Sequence, residues 1–305
     1  MNLNVCKYGL IMLVLMIGVG CEKPVTVDIP AHEREIVTRA LVSPDSLWRV
    51  AVSSSVGFQD NTEPFPITNA VVEIKEGDVL VETLQHTAYG VFTSQQAKPI
   101  PGRIYSLHVS ASGYSAVSST IVIPETVSPP QVTIDEATSE NDGPYLNVAV
   151  TIDDAPQKRN YYAMDVVLIQ KYEENGVQRQ MQYPHFFETS DVILLGFSEL
   201  DGEVETYNVR YFQDDLFDGT SETINIRVQD PGFYFLEQED SYAVVLRFYE
   251  TDESYFRFFK TAELQWENED NPFGEPVRIF SNMSNGFGIF AGYQVHATTL
   301  VSSIP

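Results

Sequence analysis

TINIRVQ, residues 223–229, alternates apolar and polar side chains without a break. Ile224, Ile226 and Val228 fall on one side of an extended chain, and Asn225, Arg227 and Gln229 on the other. A period of two residues is that of a β-strand with one buried face. LNVAVTI at 146–152 repeats the pattern, with Leu146, Val148, Val150 and Ile152 sharing a face. YYAMDVVLIQKY at 161–172 is longer and apolar on both sides, as in a strand covered on two faces. Turn dipeptides punctuate the chain: Glu-Gly at 76–77, Ser-Gly at 112–113, Asn-Gly at 175–176, and Asp-Gly at 201–202 and 218–219. The rhythm predicts an all-β protein built of sandwiches.

One segment departs from it. TDESYFRFFKTAELQWENEDNP, 251–272, predicts an amphipathic helix near 251–270. Thr251 or Asp252 supplies the N-cap, and Asp252 and Glu253 favour the positive end of the helix dipole. Asn271-Pro272 ends it. Tyr255, Phe259, Ala262 and Trp266 follow the spacing of one helical face, read as packing over a sheet.

A boundary is expected at IPETVSPP, 123–130, where three prolines make poor sheet and a stiff spacer. Before it, strands are predicted over 35–42, 48–55, 70–75, 79–85, 90–93, 104–110 and 117–123. Seven short strands suit an immunoglobulin-like or prealbumin-like sandwich at 35–124. After a linker at 125–130, residues 131–305 are expected to form a larger C-terminal sandwich carrying the helix. The segment NAVVEIKEGDVLVETLQHTAYGVFTSQQAKPIPGRIYSLHVSASGYSAVSSTIVI resembles the carboxypeptidase regulatory-like modules of bacterial surface proteins.

The first twenty residues have the anatomy of an export signal: Lys7, an apolar run of about a dozen residues, then Gly18, Val19 and Gly20. The run is short of the roughly 20 apolar residues that span a bilayer. It stops at Cys21, in the stretch IGVGCEKP, 17–24. That arrangement resembles a bacterial lipobox, which implies lipidation of Cys21 and a tether over 21–34. Two or more acyl chains hold a protein on a membrane where one is marginal. The alternatives are a plain signal with a coincidental cysteine and a short uncleaved anchor. On the lipobox reading Cys6, the other of the two cysteines, leaves with the signal, so stability must come from burial rather than disulfides.

Charge narrows the partners. Eighteen basic against 43 acidic residues give a net charge of −25, which repels nucleic-acid backbones and anionic headgroups. Nucleic-acid binding is excluded on that ground, and no basic stripe with interleaved aromatics stands against it.

Sequence-level catalysis is not legible. GFGIFAG, 286–292, lacks the spacing and the following helix of a dinucleotide loop, so its glycines are read as permitting close strand packing. Asp214, Asp215 and Asp218 lack the alternation and terminal Glu of a calcium loop, and are read as a solvated turn. His32, His86, His108, His185 and His296 show no paired ligand spacing, and His108 is expected to face away from the core. No serine elbow or free cysteine nucleophile appears. The expectation is a chain without catalytic residues, metal or cofactor. One loop, VGFQDNTEPFP at 56–66, offers Phe58 and Phe65 as a candidate contact surface, against the alternative that both rings fold back onto the sandwich.

Several stretches together carry a broader resemblance: CEKPVTVDIP after the signal, VSPDSLWRVAVSSSV at 42–56, PFPITNAVVEI at 64–74, DDLFDGTSETINI at 214–226 and NPFGEPVRIFSNMSNGFGIFAGY at 271–293. They resemble the Bacteroidota lipoprotein group called domain-of-unknown-function family 4249. The resemblance implies an outer-membrane lipoprotein of the kind commonly encoded beside TonB-dependent transporters, with no implied chemistry. The expected function is a non-catalytic binding or accessory component of such an uptake system, on the cell surface in preference to the periplasmic face. The alternatives are a structural or adhesive surface protein and a surface hydrolase with an unrecognised site.

Overall fold

The opening stretch is the strand predicted, β16 (Ser221–Gln229), paired antiparallel with β10 (Gly143–Asp153). The register sets Leu146 opposite Val228, Val148 opposite Ile226 and Val150 opposite Ile224, so the apolar sets of both stretches meet on one face. All six side chains are buried, while Asn225 and Gln229 are exposed. This computed structural model describes residues 32–57, 60, 62–125, 128–139, 143–195, 205–231, 241–269 and 274–303. The chain divides into two units, Met1–Glu33 and Arg34–Pro305, and every described strand lies in the second.

The protein is all-β, with strands arranged in three sheets among the described residues. Its N-terminal strands are β1 (Ile36–Val42), β2 (Arg49–Ser54), β3 (Val71–Glu76), β4 (Val79–Thr83), β5 (Gln85–Ala88), β6 (Val91–Thr93), β7 (Ile104–Ser110) and β8 (Val117–Val122). All seven predicted strands of this region are present, and the short β5 is additional. Beyond 130 come β9 (Gln131–Ser139), β11 (Tyr161–Glu174), β12 (Val177–His185), β13 (Phe187–Thr189), β14 (Glu205–Tyr207), β15 (Val209–Gln213), β17 (Ser241–Thr251) and β18 (Phe287–Ser302). One sheet runs β12-β11-β17-β18-β1-β2-β6-β5, with β15 also on β11; the others run β14-β13-β16-β10-β9 and β4-β3-β7-β8.

Two principal cores follow. In the first, Ile36, Trp48, Val50, Ile74, Tyr105 and Leu107 pack together between strands 36–122. The second gathers Val148, Ile226, Tyr162, Met164, Val244 and Phe248. They divide near the proline-rich stretch, but they are not separate in hydrogen bonding. The last strand is long enough to serve both: Phe287–Gly292 pairs in parallel with β1, and Tyr293–Ser302 pairs antiparallel with β17. Phe290 from this strand enters the N-terminal core against Trp48, at 6.2 Å between rings. One continuous sheet thus supplies a leaf to each sandwich.

The glycines of GFGIFAG make that junction possible. Gly288 has φ +115°, and a Cβ there would lie 1.8 Å from the Thr38 carbonyl oxygen of β1. Only glycine lets the two backbones come this close.

The helix forms as α2 (Glu253–Glu269), after a single turn, α1 (Val192–Leu195). Asp252 is its cap: Oδ1 accepts from the Tyr255 N–H at 2.7 Å. Tyr255 and Phe259 pack with Ala163, Tyr211, Ile289 and Ala291 on the outer face of the long sheet, and Ala262 is also buried. Trp266 corrects the predicted stripe, since it is 72% exposed. It keeps the angular position of the stripe, but lies beyond Phe259, the last helix residue in that cluster, and beyond Ala262, the last buried residue of the stripe. The expected stop at Asn271-Pro272 lies outside the described residues.

Candidate functional site

Chemistry-bearing side chains concentrate where the loop after β10 meets the loop after β15. Asp154 closes the end of β10, and Asp214 and Asp218 belong to the turn leading into β16. One oxygen from each lies within 4.8 Å of the others. Asp214 corrects the expectation of a wholly solvated turn, being 2% exposed, whereas Asp215 and Asp218 are exposed. Asp154 Oδ1 accepts from Tyr162 Oη at 2.6 Å and Asn160 Nδ2 at 2.8 Å, and its Oδ2 from the Gly219 N–H at 2.9 Å. Asp214 Oδ2 accepts from the Asn160 N–H at 2.7 Å, and Asp218 Oδ1 from the Gln157 N–H at 2.9 Å. Burial raises the Asp214 carboxyl above its ordinary range, with the Asp154 and Asp218 charges adding and the Asn160 N–H opposing. Burial also drives the Tyr162 phenol far upward, so it stays a donor to Asp154. The three carboxylates therefore clasp two loops. Among the described residues they are the side chains that could hold a divalent cation.

Nearby, a crevice of about 280 Å³ separates Ile123–Glu125 of the N-terminal module from Lys158–Tyr162 and Glu250–Glu253. Asp252 stands at its wall. Its Oδ2 accepts from the Gly292 N–H of β18 at 2.8 Å, while Oδ1 caps the helix. Burial pushes this carboxyl up to about 7, against the pull of those backbone donors.

A larger, apolar groove of about 430 Å³ lies between α1, β15 and α2, lined by Val192, Ile193, Phe212, Leu216 and Phe256. Arg210 builds one side of it from within. Only 3% exposed, it donates from Nε to the Leu194 carbonyl at 2.7 Å and from Nη2 to the Leu195 carbonyl at 3.1 Å. Its Nη1 meets Glu263 of α2 at 3.4 Å. A buried arginine spent on a helix C-terminus has no sequence signature, because its partners lie far along the chain.

Apart from Asp214, Asp218 and Asp252, the residues singled out from sequence do not converge on these places. Cys21 and Phe58 lie outside the described residues. Phe65 is 46% exposed, with the Arg34 guanidinium 5.0 Å from its ring centre. His86 Nε2 lies 3.3 Å from the Gly90 N–H, His185 is 2.7 Å from the Gln229 carbonyl, and His296 is 3.8 Å from Glu250. No histidine joins a three-residue metal-ligating group among the described residues.

The sequence model of one family, Domain of unknown function (DUF4249), matches residues 22–299. The chain belongs to the DUF4249 family. No curated protein matches it. Among solved structures, this DUF4249 chain is similar to the collagen binding domain of the Erysipelothrix rhusiopathiae surface protein RspB, at 8% identity and a TM-score of 0.20. That match covers 87% of this chain and 96% of the other.

Proposed function

We propose that this DUF4249 protein is a lipid-anchored outer-membrane lipoprotein that serves as a non-catalytic binding or accessory component of a TonB-dependent nutrient uptake system. One observation carries the reading: an export-type apolar run that stops at Cys21, followed by a folded acidic β-scaffold. The geometry supports the absence of catalysis. Asp154, Asp214 and Asp218 each accept hydrogen bonds that join one loop to another, which suits a structural clasp better than a poised acid–base pair. Tethering would raise the local concentration of the scaffold beside a barrel partner, so weak docking suffices. No cofactor is needed, and the surface face of the membrane is favoured over the periplasmic one.

The experiment has two arms. Radiolabelled palmitate should enter the wild-type protein and not the Cys21→Ala variant; equal labelling of both, or none, sinks the anchor. Gentle detergent extraction of the tagged protein should bring down a TonB-dependent transporter. Its absence from repeated extractions sinks the accessory role.

A further inference from the structure

The outer face of the five-stranded sheet carries a second kind of surface, one made of side chains that strands usually avoid. Asp135 on β9, Asn147 on β10 and Asn225 on β16 all stand mid-strand, facing away from the core. Asparagine and aspartate are depleted in strands, where β-branched and aromatic residues fit better. Here they surround the small side chain of Ala149. The register sets Ala149 directly between Thr133 and Asn225, with Asn147 two residues before it on the same face. A short side chain ringed by longer ones makes a floor. The depression measures about 380 Å³, within the range of about 300–1,000 Å³ typical of ligand sites.

Its rim is equally polar. Glu188 and Ser190 border it from the β13 side, and Arg227 from β16. Arg227 is held in place, 3.9 Å over the Tyr145 ring and 3.6 Å from Glu188. Thr189 fixes the neighbouring backbone by donating to the Asn225 carbonyl at 2.9 Å. Each asparagine amide offers two donors and an acceptor, and both point into open space rather than into the protein.

We propose that this depression is a binding site for a neutral saccharide. A sugar hydroxyl donates and accepts through the same oxygen, which is what amides and carboxylates mixed on one face can answer. The large apolar residues of the lining, Val148 and Ile226, are buried in the core beneath, so the floor offers little to a peptide's apolar side chain. Two carboxylates against one already engaged guanidinium, on a chain of net charge −25, disfavour uronates and other anionic glycans. The site does not depend on Cys21.

Full-length protein in a non-glycosidic detergent is titrated calorimetrically with neutral gluco-, manno-, xylo- and galacto-oligosaccharides, a polyuronate oligosaccharide and an unstructured peptide. At least one neutral oligosaccharide binds. Asn147→Ala/Asn225→Ala weakens it about tenfold or more, and Ala149→Leu, which fills the floor, does the same. Both variants keep the wild-type circular dichroism spectrum and melting temperature, because the altered side chains are on a solvent-facing sheet surface. Failure of every neutral sugar to bind overturns the assignment. So does preference for polyuronate or peptide, or sugar binding unaffected by the folded variants. Cys21→Ala binds sugar as well as wild type does, so loss of the anchor reading and loss of this site show up separately.

Discussion

Replacing Gly288 by alanine tests whether the two sandwiches are held together through the β1–β18 pair. Two costs arise at that position. An alanine at φ +115° adopts a backbone region that L-residues scarcely populate, at about 1–3 kcal/mol. Its Cβ would also stand 1.8 Å from the Thr38 carbonyl oxygen, and backbone on both sides leaves nothing flexible to move. The strands must separate locally, losing ladder hydrogen bonds worth about 1 kcal/mol each. The sum is about 3–5 kcal/mol, a large part of the roughly 5–15 kcal/mol that holds a domain folded. Gly113 provides the control: its φ is +86°, but nothing lies within 4 Å of an added Cβ. Gly113→Ala should therefore cost only the dihedral share, about 1–3 kcal/mol. Urea unfolding is followed in a Trp266→Phe background by the fluorescence of Trp48, which reports the N-terminal core, and by far-ultraviolet circular dichroism, which reports all strands. The wild type should show one coincident transition, and Gly288→Ala an early loss in which the two probes part. A Gly288→Ala protein within about 1 kcal/mol of Gly113→Ala, its transitions still coincident, would refute the claim that close backbone approach joins the modules.

Other positions yield sharper single measurements. Trp48 is fully buried and its indole Nε1 has no hydrogen-bond partner among the described residues, so Trp48→Phe should cost less than about 1.5 kcal/mol in urea melts, whereas Trp48→Ala should cost about 3–5 kcal/mol. Arg210→Met removes the donors to two α1 carbonyls and leaves Glu263 without that cation, and should destabilise by about 2–4 kcal/mol with faster hydrogen exchange at Leu194 and Leu195. Asp252 gives a pH signature. Its folded carboxyl titrates above the ordinary range, at about 7, so the stability it contributes is present at low pH and is lost as pH rises through about 7. The wild type should accordingly lose stability relative to Asp252→Asn between about pH 4 and pH 7; a flat difference across that window would rule out a buried carboxyl with a raised pKa.

Local pattern reached the strands and stopped at their long-range pairing. The alternation in 146–152 and 223–229 reads directly as two buried faces, and the structure sets those faces opposite one another. Asn175-Gly176 reads as a hairpin turn because both residues tolerate positive φ, and they adopt 54° and 76° between β11 and β12. Cap chemistry narrowed the start of the helix to Thr251 or Asp252, since a cap is a contact three residues away, and the hydrogen bond to Tyr255 selects Asp252. Trp266 shows where such reasoning ends: an apolar stripe states which face is greasy, not how far the sheet beneath it extends.

The same limit explains the candidate sites. Asp154 and Asp214 lie 60 positions apart, and Arg210 acts on carbonyls that no residue type encodes, so none could be assigned a role before the loops were brought together. The pairing of β1 with β18 spans nearly the whole folded unit, and its one local trace was a run of glycines that superficially matched a nucleotide loop. A glycine-rich stretch within alternating apolar residues, with no following helix, marks a place where another backbone must come close. Asn147 and Asn225 extend that logic to the surface. A residue type poorly suited to its element, repeated on one face around a small neighbour, is retained against strand preference, and its reason is to be sought in what that face meets.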